Sequence, residues 1–319
     1  MLILHIAAWL FPLGLITLGT GTASAQTYPI KTIRLLTSGT GGSSDFTARL
    51  IAPGLTSSLG QSIIVDNRAE TIASETVSKA PPDGYSLLLA TNPLWISPLL
   101  QKASYDPVRD FSPITYTNKS DIVFVVPQSV TASSVGELIA LAKAKPGALN
   151  YASAGTGSGS HLAAELFKAM AGVNLVRINY KGIGPAINDL IGGRVELMIV
   201  SASAVMSHVQ SGRLKALAVA SAEPSALTPG LPTVAASGLP GYDVASIVGI
   251  LAPAKTPEVI INRLNQETIR VLTREDVKEK FNQAGMEIVG STPEQFAGTI
   301  KAEMAKWSKV INDAGIRAE

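Results

Sequence analysis

The chain has 319 residues, 46% of them hydrophobic and 16% charged, with a formal net charge of +2. That is enough apolar sequence for two ordinary cores, which excludes a disordered chain, and the weak, scattered positive charge excludes a nucleic-acid footprint. The complete lack of cysteine excludes a disulfide framework, a lipid-attachment thiol and a thiolate metal site. In chain order the first element is the apolar run 7–16, which gives way to small residues ending in Ala23-Ser-Ala25. This pattern predicts a secretory signal over residues 1–25, cleaved before Gln26, and hence a periplasmic mature protein. A membrane anchor is the weaker alternative, because Pro12 and the Gly/Thr-rich stretch from Gly19 cut the span below the ~20 residues a crossing helix needs.

From Thr32 onward, short apolar runs alternate with helical periods. The pattern predicts a strand at 33–36, a helix at 46–59 ended by Gly60, and a strand at 62–66. A helix at 71–80 follows, stopped by Pro81-Pro-Asp-Gly84, and then a strand at 85–90. The segment 92–116, rich in proline and aromatics, reads as a loop. Alternation resumes with strands at 122–126, 149–152, 175–178, 195–200 and 214–220, interleaved with helices at 134–145, 160–171, 184–191 and 203–211. One more strand is expected at 247–251, and the chain after Pro257 reads as mainly helical. There Phe296, Ile300, Met304, Trp307 and Ile311 recur as the buried stripe of a long helix. Such alternation predicts an α/β fold of two units, each a mostly parallel sheet flanked by helices. The tail is expected to return to the first unit, with the chain crossing near Val123 and again near Ala245.

Two segments share one design: Thr37-Ser-Gly-Thr-Gly-Gly-Ser-Ser-Asp45 and Ser153-Ala-Gly-Thr-Gly-Ser-Gly-Ser-His161. Each follows an expected strand and opens an expected helix. Glycines allow a tight turn and close approach, hydroxyls cap the helix, and the remaining first-turn N–H groups attract anions. Placed in opposite units, the two loops would form a jaw. Catalytic alternatives are weak, since His161 and His208 are the only histidines beyond His5 and neither a Gly-x-Ser-x-Gly elbow nor a Walker loop is present. Gly39-Thr-Gly41, followed by a strand ending in Asp66, partly matches a dinucleotide fingerprint. Ser44 stands where its third glycine should be.

Several motifs carry a family resemblance. In the first unit these are Tyr28-Pro-Ile-Lys-Thr-Ile-Arg34, Gly41-Gly-Ser-Ser-Asp45 with Ala48-Arg49, Leu59-Gly-Gln61 and Asp66-Asn-Arg68. Further on stand Pro82-Asp-Gly-Tyr85, Tyr105-Asp-Pro-Val-Arg-Asp-Phe111, Asn150-Tyr-Ala-Ser-Ala-Gly155 with Ser160-His-Leu-Ala163, Tyr180-Lys-Gly182 and Gly238-Leu-Pro-Gly-Tyr242. As an ordered set over essentially the whole mature chain, they resemble the Bug-type receptors of tripartite tricarboxylate transporters. The resemblance implies a two-domain periplasmic-binding-protein clamshell of the Venus flytrap kind, with domain 1 formed by 26–123 and 246–319 and domain 2 by 124–245. It implies a receptor and not an enzyme, without cofactor or metal, which captures a small organic acid and delivers it to a membrane permease. A periplasmic sensor for a two-component kinase is the alternative. Monomers are the family expectation.

Ligand contacts are expected from Ser38, Gly41, Gly42, Ser43, Ser44 and Asp45 in the first loop and from Ser153, Ala154, Gly155, Thr156, Ser158 and His161 in the second. Thr91 and Asn92 at a strand end, Tyr180 and Ser201 complete the set. Trp95 is a weaker candidate for an apolar wall. The sequence departs from the family pattern at Ala69-Glu-Thr-Ile-Ala-Ser74, where a Gly-rich helix opening is usual, and at Ile199-Val-Ser201, where Phe-Asp-Asn is common. Selectivity is therefore expected beside the two loops.

Overall fold

The computed structural model describes residues 28–155 and 158–314. The expected signal segment and Thr156 lie outside the described residues. The chain opens with three parallel strands, β1 (Ile33–Thr37), β2 (Ile63–Asn67) and β3 (Ser86–Thr91), in the order β2-β1-β3. Helices α1 (Ser43–Leu59) and α2 (Glu70–Ser78) make the crossovers. Leu35 and Leu36 are buried on opposite faces of β1, because helices cover both sides of a parallel sheet.

The segment 92–116 is not the loop its prolines suggested. Pro93 occupies the first turn of α3 (Pro93–Leu100), where a missing N–H costs nothing, and Leu94, Trp95 and Ile96 anchor that helix in the core. Strand β4 then starts at Phe111 and runs to Pro127; Pro113 is accommodated where the pairing with β9 (Ala245–Pro253) slips in register. The first part of β4 pairs antiparallel with β9 and with the short β10 (Met286–Ile288). From Ile122 onward it pairs antiparallel with β7 (Met198–Ser201) and β8 (Leu214–Val219).

The intervening chain forms α4 (Val135–Ala144), β5 (Asn150–Ser153), α5 (Gly159–Ala171), β6 (Val176–Asn179), α6 (Ile183–Ile191) and α7 (Ala202–Gln210). Strands β5 and β6 are parallel, and Tyr151 bridges to Leu197 in the same sense. Parallel βαβ units thus form both lobes of the fold, while β4 and β9 run antiparallel to their neighbours.

After β9 come α8 (Glu258–Leu272), α9 (Glu275–Gln283), β10 and α10 (Pro293–Ala314). The α10 stripe is a core stripe: Phe296, Ile300, Trp307 and Ile311 are buried and Met304 is half-buried. Phe296 lies over Gly249 of β9 so closely that a Cβ there would come within 2.2 Å of its ring. Glycine at 249 is what lets α10 settle onto the sheet. Among the described residues no helix is long and apolar enough to cross a membrane.

Candidate ligand-binding site

A cavity of about 570 Å³ lies between the lobes. Its wall is built from six turns of one type, each leaving the C-terminal end of a strand and entering a helix. From the first lobe come Ser38, Gly42, Ser43 and Ser44 (β1–α1), Ala69 to Thr71 (β2–α2), and Thr91 and Asn92 (β3–α3). Facing them are Ala154, Gly155 and Ser158 (β5–α5), Tyr180 to Ile183 (β6–α6) and Ser201 (β7–α7). Ile122, Val244 to Ser246 and Trp307 close the space near the crossing strands. Strand C-terminal ends are where open parallel sheets place ligands.

Of the six helix starts, only that of α5 is capped by a side chain, Ser158 accepting from the His161 amide at 3.3 Å. The cap positions of α1, α2, α3, α6 and α7 carry no side-chain cap bond. First-turn N–H groups of a helix lack intrahelical acceptors, and the aligned peptide dipoles make each start partly positive. Helix α3 offers fewer free donors, since Pro93 has no N–H and the Trp95 amide bonds the Asn92 carbonyl at 3.1 Å. These helix starts favour an anion in the cavity without arginine, and among the described residues Lys181 is its one lining cation.

Hydroxyls organise the wall. Ser38 and Ser44 Oγ lie 2.6 Å apart, Ser43 and Ser246 Oγ 3.4 Å, and Ser201 Oγ is 2.8 Å from Ser120 Oγ and 2.9 Å from Ser203 Oγ. Asn92 lines the cavity with its side chain already engaged: Oδ1 accepts from the Ile247 amide at 2.8 Å and Nδ2 donates to Glu303 at 3.2 Å. Tyr180 donates to Asp189 at 2.9 Å, and burial with that bond pushes its hydroxyl up to about 12.

Several residues expected as contacts stand behind the wall. Asp45 accepts from the Gly41 amide, Asn67 Nδ2 and Arg49 Nε at 3.1, 2.8 and 2.9 Å, so its carboxylate ties down the β1–α1 turn. Gly41 serves that turn with φ of +87°. Ser153 donates to the Gly155 carbonyl, closing the next turn. His161 is buried with Nε2 2.8 Å from Arg177 Nη1. None of these four, nor Trp95, which is fully buried in the core, reaches the cavity. Asp66, the acid of the dinucleotide reading, is held by Arg34 at 2.5 Å and Arg68 at 3.1 Å, below the usual carboxylate range.

Sequence reasoning did not single out Glu70 or Lys181 as contacts. Glu70 opens α2 in the segment that departs from the family pattern, and its carboxyl accepts from Thr91 Oγ1 at 3.0 Å. Desolvation pushes it up to about 7. Counting every strand-to-helix turn, rather than the Gly/Ser-rich ones, would have found both residues.

An interlobe cavity ringed by helix starts and hydroxyls defines a clamshell solute receptor. A family model for the tripartite tricarboxylate transporter family receptor matches residues 47–316, and the chain belongs to that family. It is a binding receptor and not an enzyme. Protein BugT of Bordetella pertussis is 36% identical over 301 residues, covering 92% of each chain. Among solved structures, Rpa4515 of R. palustris with adipate superposes with a TM-score of 0.87 at 35% identity, over 91% of this chain and 99% of that one. MatC from Rhodopseudomonas palustris with bound malate gives 0.86 at 27%, over 89% and 100%.

Proposed function

We propose that this protein captures a small organic acid anion in the interlobe cavity and presents it to the permease of a tripartite tricarboxylate transporter. The observation that carries the reading is the convergence of five uncapped helix starts on one cavity. Each such start stabilises an anion by about 0.3–1 kcal/mol, up to roughly 2 when partly buried, whereas micromolar binding needs about −8 kcal/mol in total. Hydrogen bonds and lobe closure supply the remainder. The adipate and malate bound by its structural relatives support a carboxylate as the captured group.

In this reading Ser38, Gly42, Ser43 and Ser44 face Ala154, Gly155, Ser158 and Ser201 across the anion, with Thr91 and Tyr180 at its margins. Domain 1 comprises 26–123 with 246–319 and domain 2 comprises 124–245, which agrees with the change of β4 partners at Ile122 and the start of β9 at Ala245. The receptor works as a periplasmic monomer after signal cleavage near Ala25. A ligand that binds only the folded state raises its apparent stability. A thermal-shift screen of the mature protein against mono- and dicarboxylic acids is therefore expected to yield saturable upward shifts, and none from any acid at millimolar concentration would refute the proposal.

A further inference from the structure

Glu70 is a carboxyl group on the wall of the proposed anion site, and among the described residues no cation pairs with it. Its Oε1 accepts the Thr91 hydroxyl hydrogen at 3.0 Å, which fixes the group at the β3 end of the wall. The nearby arginines are committed elsewhere: Arg34 and Arg68 to Asp66, and Arg49 to Asp45 and Asn67. Tyr105, from the segment after α3, lines the same stretch and bonds Ser74 of α2. Lys181, the one other charged lining residue among those described, sits on the β6–α6 turn of the opposite lobe. The turns beside Glu70 also set Thr71 and Asn92 on this wall, the Asn92 side chain already engaged by Ile247 and Glu303, and Ile96 of α3 adds apolar surface.

Resting on the receptor reading above, we infer that Glu70 is the specificity-determining group for the ligand's second end. It selects organic acids that carry a hydrogen-bond donor there, an amino or hydroxyl group, over dicarboxylates. The chemistry follows from the two halves of the cavity. Helix starts and serines hold one carboxylate, and a second carboxylate beside an ionised Glu70 would meet a like charge unless one of the pair takes up a proton. A donor meets an oriented acceptor instead, and a buried hydrogen bond to a charged group separates good from bad ligands by roughly ten-fold or more.

The test is calorimetric titration at pH 8 of the mature protein and Glu70→Gln. The probes are butanoate and hexanoate, their ω-amino and ω-hydroxy derivatives, and succinate and adipate. The wild type is expected to bind an amino or hydroxy acid at least ~10-fold more tightly than the dicarboxylate of equal length, and Glu70→Gln to abolish or reverse that order while leaving the unsubstituted acid within ~3-fold. Comparing the amino with the hydroxy series tells whether the donor must be cationic. An unchanged order in Glu70→Gln, a wild-type preference for dicarboxylates, or an equal loss for all probes overturns this assignment alone. Failure of every acid to bind the wild type overturns the receptor reading and this inference with it.

Discussion

Glu70 couples the site to stability as well as to selectivity. In the folded protein desolvation raises its carboxyl from the ordinary 4.5 to about 7, outweighing the Thr91 hydrogen bond that favours the ionised form. Between those two values the native state holds a proton that the unfolded chain has released, so stability falls as pH rises across that window. Glu70→Gln keeps the shape of the neutral acid and cannot ionise. The ligand-free variant should therefore melt roughly 2–6 °C above the wild type at pH 8 and within a degree of it at pH 4.5, in differential scanning calorimetry. Equal melting temperatures at both pH values would place the carboxyl in an ordinary, solvated setting. Asp45 shows the opposite use of a carboxyl at the same rim. Its three acceptor bonds to Gly41, Asn67 and Arg49 occupy it with the turn, which makes it a positioning residue for Ser43 and Ser44.

At the level of elements, the alternation of apolar runs and helical periods revealed most of the fold because parallel βαβ units write their burial pattern plainly into the chain. The failures have local causes. Pro93 and Pro113 read as breakers, yet one sits in a helix first turn and the other at a register slip of β4, so both are tolerated inside elements. The three residues of β10 are too few to show a period. Of the six cavity turns, the two rich in Gly and Ser were legible from composition. The β2–α2 turn has ordinary composition, and only its position at a strand end makes it part of the site. Packing of α10 was legible as a stripe, but its dependence on Gly249 was not, since that lives in a contact between distant residues. A methyl group at 249 would lie 2.2 Å from Phe296 Cζ. Gly249→Ala should cost about 1–3 kcal/mol in urea unfolding, and Phe296→Leu in the same chain should recover part of the loss. Strict additivity of the two changes would mean that the contact is not the cause.

The whole molecule is two lobes joined by strands that belong to both. β4 changes partners at Ile122, and β9 enters the first sheet at Ala245. Helix α10 braces the same region from outside: it packs on α3 and on α5, and Lys306 bonds Asp243 at 2.6 Å. The lobes also meet at a lip formed by the β1–α1 and β6–α6 turns. An added Cβ on Gly42 of the β1–α1 turn would be 3.2 Å from Ile183 Cδ1 of the β6–α6 turn, and one on Gly41 would be 4.0 Å from the Gly184 amide. A methyl group at Gly42 thus fits only if Ile183 gives by a few tenths of an ångström, and one at Gly41 would just touch the opposite lip. If capture requires that approach, a wedge at the lip must hold the clamshell open while leaving both cores intact. Gly42→Trp is expected to leave the ligand-free melting temperature within about 2 °C of the wild type, because the change is confined to an interlobe surface. By small-angle scattering it should show a larger radius of gyration and no contraction on adding an acid that contracts the wild type. Its affinity for that acid should fall at least ~10-fold. Normal contraction and normal affinity in this variant would show that the lips do not gate the site.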